Sequence, residues 1–157
     1  MPTQMKSFPS QELMLVVMMS FSLLLGSPAI HAQEINEIQL IITAPFSTAM
    51  ITMDHLGNVK YEANSPKTGL ENQSETSKIT PEQFNELVEL INKNNFFSYE
   101  NTYENDDLTD LSTVVVSVKK DNQIKSVSCY GECPGPIMEI IYKIRALWGK
   151  EILEIGV

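Results

Sequence analysis

Five stretches of this chain carry apolar residues at the two-residue period of a strand or in the short runs of a buried one. They are Ile38-Gln39-Leu40-Ile41-Ile42, Ala49-Met50-Ile51-Thr52-Met53, Val59-Lys60-Tyr61-Glu62, Val114 to Val118, and Ile124 to Cys129. Asp54 to Asn58 reads as a turn between the second and third, with Gly57 available for positive φ. Lys119 to Gln123 turns the fourth into the fifth. Two other stretches have the helical period. Phe84, Leu87, Val88 and Ile91 form one apolar stripe, and Ile137, Ile140, Ile141, Ile144, Leu147 and Trp148 form another.

The first helix has its own start signals. Thr80 suits the N-cap, Pro81 the first helical position, and Gln83 completes a capping box. Ile79 and Phe84 are placed for a hydrophobic staple. Asn94-Asn95 ends this helix, and Phe96-Phe97 plug the core beyond it. The second helix opens at Gly135-Pro136 and stops at Gly149. A short apolar tail, Ile152 to Ile155, is expected to add an edge strand. Ala63 to Lys78 is polar, contains Pro66 and Gly69, and reads as a loop. Tyr99 to Leu111 reads as an acidic loop. The expected fold is α+β: a small antiparallel sheet of about five strands with two helices on one face, in the order β-β-β-α-β-β-α.

The N-terminus changes the picture of where the domain begins. Lys6 precedes an apolar run from Leu13 to Leu25, which Gly26 and Pro28 end. Small residues follow, in Ser27-Pro28-Ala29 and Ile30-His31-Ala32. This is the order of a signal peptide, and the run of about 13 residues is short of the roughly 20 that span a bilayer. The expectation is a signal peptide over residues 1–32, cleaved after Ala32 or else after Ala29, with an uncleaved signal anchor as the alternative because Glu12 offsets Lys6. One domain then covers residues 33–157. The product would be periplasmic or extracellular, with no membrane attachment left.

Charge narrows the partners. The formal net charge is −9, and the signal segment does not alter it because Lys6 and Glu12 cancel. A net negative surface repels phosphate backbones and anionic lipid faces, so neither nucleic acid nor membrane is expected as a partner. An unidentified protein or cell-envelope component is. Asn72-Gln73-Ser74 fits an N-glycosylation acceptor, a pattern without consequence in a bacterial host.

Candidate chemistry is sparse. His55 is the one histidine after Ala32, and it lies in the predicted turn, where surface polarity accounts for it. No Gly-x-Ser-x-Gly, His-Glu-x-x-His or phosphate-cradling glycine loop is present. Glu100, Glu104, Asp106, Asp107 and Asp110 crowd the acidic loop but lack the alternation of a calcium loop. No catalytic, cofactor or metal residue is assigned, and no cofactor is expected.

The most specific local feature is Cys129-Tyr130-Gly131-Glu132-Cys133-Pro134, between a predicted strand and a predicted helix. In an oxidising compartment two such neighbours invite a disulfide, Cys129 to Cys133. The alternative is a thiol redox or copper-handling site, since a helix N-terminus stabilises thiolate. Cys-x-x-x-Cys-Pro resembles the copper-chaperone branch of the thioredoxin superfamily. That branch completes its metal site with a downstream histidine, and none follows Cys133.

Taken in order, the pieces also resemble a bacterial family of exported proteins described as domain of unknown function 6438. The resemblance rests on Ile51 to Tyr61 as strand-turn-strand, Thr80-Pro81-Glu82-Gln83, and Phe96-Phe97. It continues through Tyr103, Thr109 to Thr113, Ile124 to Val127, and the Pro136 helix. It spans roughly Ile38 to Trp148 and implies the fold and export, with no activity. The family pattern carries a cysteine string before the second strand, where this chain has Thr43-Ala44-Pro45-Phe46-Ser47. A similar string stands here at Cys129.

Overall fold

A computed structural model describes residues 34–66, 70–105, 107 and 111–150. The signal segment, the 151–157 tail with its expected edge strand, and Asp106 and Asp110 lie outside the described residues. Four strands come first: β1 (Ile35–Ala44), β2 (Ser47–Asp54), β3 (Asn58–Ser65) and β4 (Leu70–Lys78). Helix α1 (Pro81–Lys93) and a 3-10 turn (Phe96–Ser98) follow. Then come β5 (Thr102–Glu104), β6 (Thr113–Lys120), β7 (Gln123–Tyr130) and helix α2 (Gly135–Trp148).

These strands form one seven-stranded sheet in the order β4-β3-β2-β1-β6-β7-β5. This corrects the expected five-stranded antiparallel sheet and its element order. β5 runs parallel to β7, so the sheet is mixed. β4 occupies what reads as a loop, Ala63 to Lys78. Its sequence, Leu-Glu-Asn-Gln-Ser-Glu-Thr-Ser-Lys, has no apolar period because an edge strand can hold its place by backbone pairing alone. β5 has only three residues in the acidic stretch. Ser128 donates its N–H to the Asn101 carbonyl (2.8 Å), and Asn105 donates to that of Tyr130 (3.0 Å). The Lys125 ammonium holds the same segment through the Asn101 side chain at 2.6 Å.

One face of the sheet is the core. Ile38, Leu40 and Ile42 of β1 align with Met53, Ile51 and Ala49 of β2, and Leu40 faces Val116 of β6. All are buried, as are Val59, Tyr61 and Ala63 beyond them and Val127 and Cys129 on the other side. The intervening positions are only half-buried, the alternation expected of a sheet with one solvated face.

Both helices close that buried face. α1 bears the predicted capping box: Gln83 donates its N–H to the Thr80 hydroxyl at 3.3 Å, and Thr80 donates to the Gln83 amide oxygen at 2.9 Å. Phe84, Leu87 and Ile91 are buried, and Ile79 joins the same core. α1 carries the chain from β4 at one edge of the sheet to β5 at the other. Phe96 then plugs the core, packed edge-on against Phe97. α2 lies alongside α1, tied by Lys143 to Glu86 at 2.7 Å. Its predicted stripe, Ile137, Ile140, Ile141, Ile144 and Trp148, is buried. Trp148 stacks on Tyr61 with ring centroids 5.1 Å apart.

Candidate binding cleft beside the cysteine loop

β7 ends at Tyr130, and the chain must reverse within a few residues to start α2. Gly131 makes the reversal possible with φ +75°, and Tyr130 bridges to Glu132 across it. Cys129 is buried on the core side of β7, and Cys133 stands partly exposed just ahead of α2. The two are disulfide-bonded, with Cα atoms 5.2 Å apart, an ordinary span for such a bridge. Pro134 is the N-cap and offers no side-chain oxygen, so the helix opens on backbone turns from Ile137 and Met138 to the Pro134 carbonyl.

The bridge borders a cleft of about 590 Å³. Ile42 and Val114, from neighbouring strands β1 and β6, supply the sheet side. Met138, Ile141, Tyr142 and Arg145 of α2 supply the helix side. Leu111 and Ser112, leading into β6, and Gly131 and Glu132 of the cysteine loop complete the lining. The volume falls within the usual range of small-molecule sites, and the walls are largely apolar.

The other candidate residues do not converge on this cleft. His55 sits in the β2–β3 turn, exposed, with its backbone N–H on the Asn36 carbonyl (3.0 Å). Asn36 and Ile42 are six residues apart on β1, which puts the histidine roughly 20 Å from the cleft. Asp54 organises that turn instead. Its carboxylate accepts hydrogen bonds from the Leu56 and Asn58 N–H groups, both at 2.9 Å, and from the Asn58 amide at 2.8 Å. Partial burial acts to raise its pKa, but these hydrogen bonds outweigh it and hold the carboxyl below its ordinary value. In the acidic segment Glu104 belongs to β5, and Glu100 and Asp107 are exposed. Among the described residues no three histidine, cysteine or acidic side chains group as a metal site would require.

Of the cleft residues, the sequence pattern had placed Ile42 and Val114 on strands, Ile141 on the apolar face of the second helix, and the cysteines with Gly131 and Glu132 in their loop. Met138, Tyr142 and Arg145 lie off the apolar stripe read on that helix. Only the tertiary arrangement reveals that they face the ends of β1 and β6 across a cleft.

The pattern of the family described as Domain of unknown function (DUF6438) matches residues 46–148. The chain belongs to this family. The match begins at Phe46, so the central strand β1 precedes it, and it ends on Trp148, the last residue of α2. No curated protein matches the chain. The match starts within the β1–β2 turn. That turn and the cysteine loop lie at the same end of the sheet, because Thr43 aligns with Thr113 and Thr113 with Tyr130.

Proposed function

We propose that this chain is an exported, non-catalytic binding module of a bacterial cell envelope or its surroundings, and that its ligand occupies the cleft beside the cysteine loop. The observation that carries this reading is the cleft itself: largely apolar walls from the sheet and α2, bordered by a covalent bridge, with no nucleophile–base pair among its described lining residues. Export is supported by the order of charged, apolar and small residues before Gln33. It is also supported by a cysteine pair at bonding distance, a state that oxidising compartments favour.

Two measurements test this. The first is the intact mass of the exported protein, with and without thiol alkylation. A chain beginning at Gln33 that takes up no alkylating agent until a reductant is added is the expected result. A full-length chain with freely reacting thiols contradicts it. The second is titration with Nile red, a neutral apolar dye. Saturable fluorescence that Met138→Glu removes is expected, and fluorescence indifferent to that substitution counts against the cleft.

The thiol redox reading keeps one observation in its favour, the partly exposed Cys133 immediately ahead of a helix. Its discriminator is the reduction potential of the pair. A value below the glutathione range marks a structural bridge and sets the redox reading aside.

A further inference from the structure

The cleft has a direction. Met138 stands three and four residues before Ile141 and Tyr142, and Arg145 four and three residues after them, so the four make one strip along α2. The strip starts near the cysteine loop and runs about 10 Å to Arg145. Opposite it lie the apolar side chains of Ile42 and Val114.

Polar groups stand at the two ends. Glu132 is in the cysteine loop, exposed to water, ahead of the first turn of α2. Arg145 is in the last turn, about 15 Å of helix further on. The ion pairs among the described residues use Lys60, Lys143 and Lys150, and Arg145 takes part in none of them. Its side chain is half-buried and makes no hydrogen bond to another described residue. Tyr142, three residues earlier on the strip, is 59 % exposed. Its hydroxyl likewise has no described partner.

A guanidinium half-withdrawn from water beside apolar walls has lost hydration that no described protein group returns. A ligand anion restores it, and a carboxylate matches the guanidinium fork with two parallel hydrogen bonds. Placement near the helix C-terminus favours a cation there but supplies no partner for the outer edge of the fork. The chain as a whole carries −9 and does not draw anions by its general field, so affinity for one has to come from this local group.

We propose that the cleft binds an amphiphile with a single carboxylate. Its apolar body lies along Met138 and Ile141 against Ile42 and Val114. Its carboxylate meets the Arg145 guanidinium, with the Tyr142 hydroxyl beside it as a second donor. This rests on the cleft being the binding site.

The test uses protein purified after export, sodium decanoate as probe, and decanol as its neutral twin, with binding followed by titration calorimetry below the micellar concentration. The expected result is one saturable decanoate site that Arg145→Gln weakens roughly ten- to a hundredfold, with decanol affinity unmoved by the same substitution. An unchanged urea midpoint for Arg145→Gln verifies that the variant is folded. Equal binding of decanoate and decanol, indifferent to Arg145→Gln, overturns the carboxylate assignment and leaves the cleft as a site. Failure of both probes while Nile red still binds overturns it too. Failure of all three removes the binding-cleft reading as well.

Discussion

Gly57 is the position where one added methyl group should cost most. It sits in the β2–β3 turn with φ +78°, where an L side chain is strained by about 1–2 kcal/mol. A Cβ built there falls inside 3.0 Å of the Ile79 carbonyl oxygen. That oxygen is backbone and cannot rotate away. Ile79 also donates its N–H to the Gly57 carbonyl at 2.9 Å, so moving apart sacrifices a hydrogen bond worth about 1 kcal/mol. Ile79 is itself buried and immediately precedes the Thr80 cap of α1, so the displacement reaches the helix start. Together these make Gly57→Ala destabilising by about 2–4 kcal/mol. With a urea m-value of about 1–3 kcal/mol/M, the midpoint should fall by roughly 1–2 M in equilibrium unfolding followed by circular dichroism. Gly135→Ala is the matched control: nothing lies within 4 Å of its Cβ position, and it opens α2, where alanine is the better helix former by up to about 1 kcal/mol. A Gly57→Ala midpoint within about 0.3 M of the parent would refute the reasoning.

Three further outcomes follow from the same structure. Replacing both cysteines by serine should cost about 2 kcal/mol, because the bridge closes a loop of sequence separation 4; the urea midpoints of parent and double variant, both without reductant, measure it. Asp54 has a carboxyl pKa held below its unfolded value, so its stabilisation is present above about pH 4 and is lost as pH falls through the folded value. Asp54→Ala should therefore be less stable than the parent by about 1 kcal/mol at pH 7, with the gap closing below pH 4; a gap constant from pH 7 to pH 3 contradicts the assignment. Trp148 is 4 % exposed, and its indole N–H is buried without a hydrogen-bond partner among the described residues. Trp148→Phe should thus cost under about 1.5 kcal/mol, against 3–5 for Trp148→Ala, as read by thermal unfolding.

What the sequence made legible, and what it hid, divides along the range of the interactions. α1 was readable because Thr80 and Gln83 satisfy each other within four residues and Phe84, Leu87 and Ile91 repeat with the helix. The β6–β7 hairpin was readable because its valines alternate and its turn is short. β4 was not, since its polar side chains point to water on a sheet edge and its only commitment is backbone pairing to β3. β5 was not, since it pairs in parallel with a strand more than twenty residues further on. The cysteine pair was legible from spacing alone. Arg145 and Tyr142 were not, because a polar flank on an amphipathic helix looks the same whether it overhangs a cleft or open solvent.

The cysteine loop has a mechanical place in this arrangement. β7 delivers Cys129 on the core face, and the bridge fixes Cys133 beside it, so α2 must start directly over the end of β7. From that start, helical rise decides where residues of α2 meet the cleft: Met138 first, Tyr142 a turn later, Arg145 at the far end. The β1–β2 turn closes the same end of the sheet, separated from β7 only by β6. The Cys129–Cys133 bridge braces the end of β7 beside α2. In the proposed binding role the disulfide would serve the cleft by fixing where the helix begins, and the ligand chemistry would fall to the residues of α2 that the helix then places.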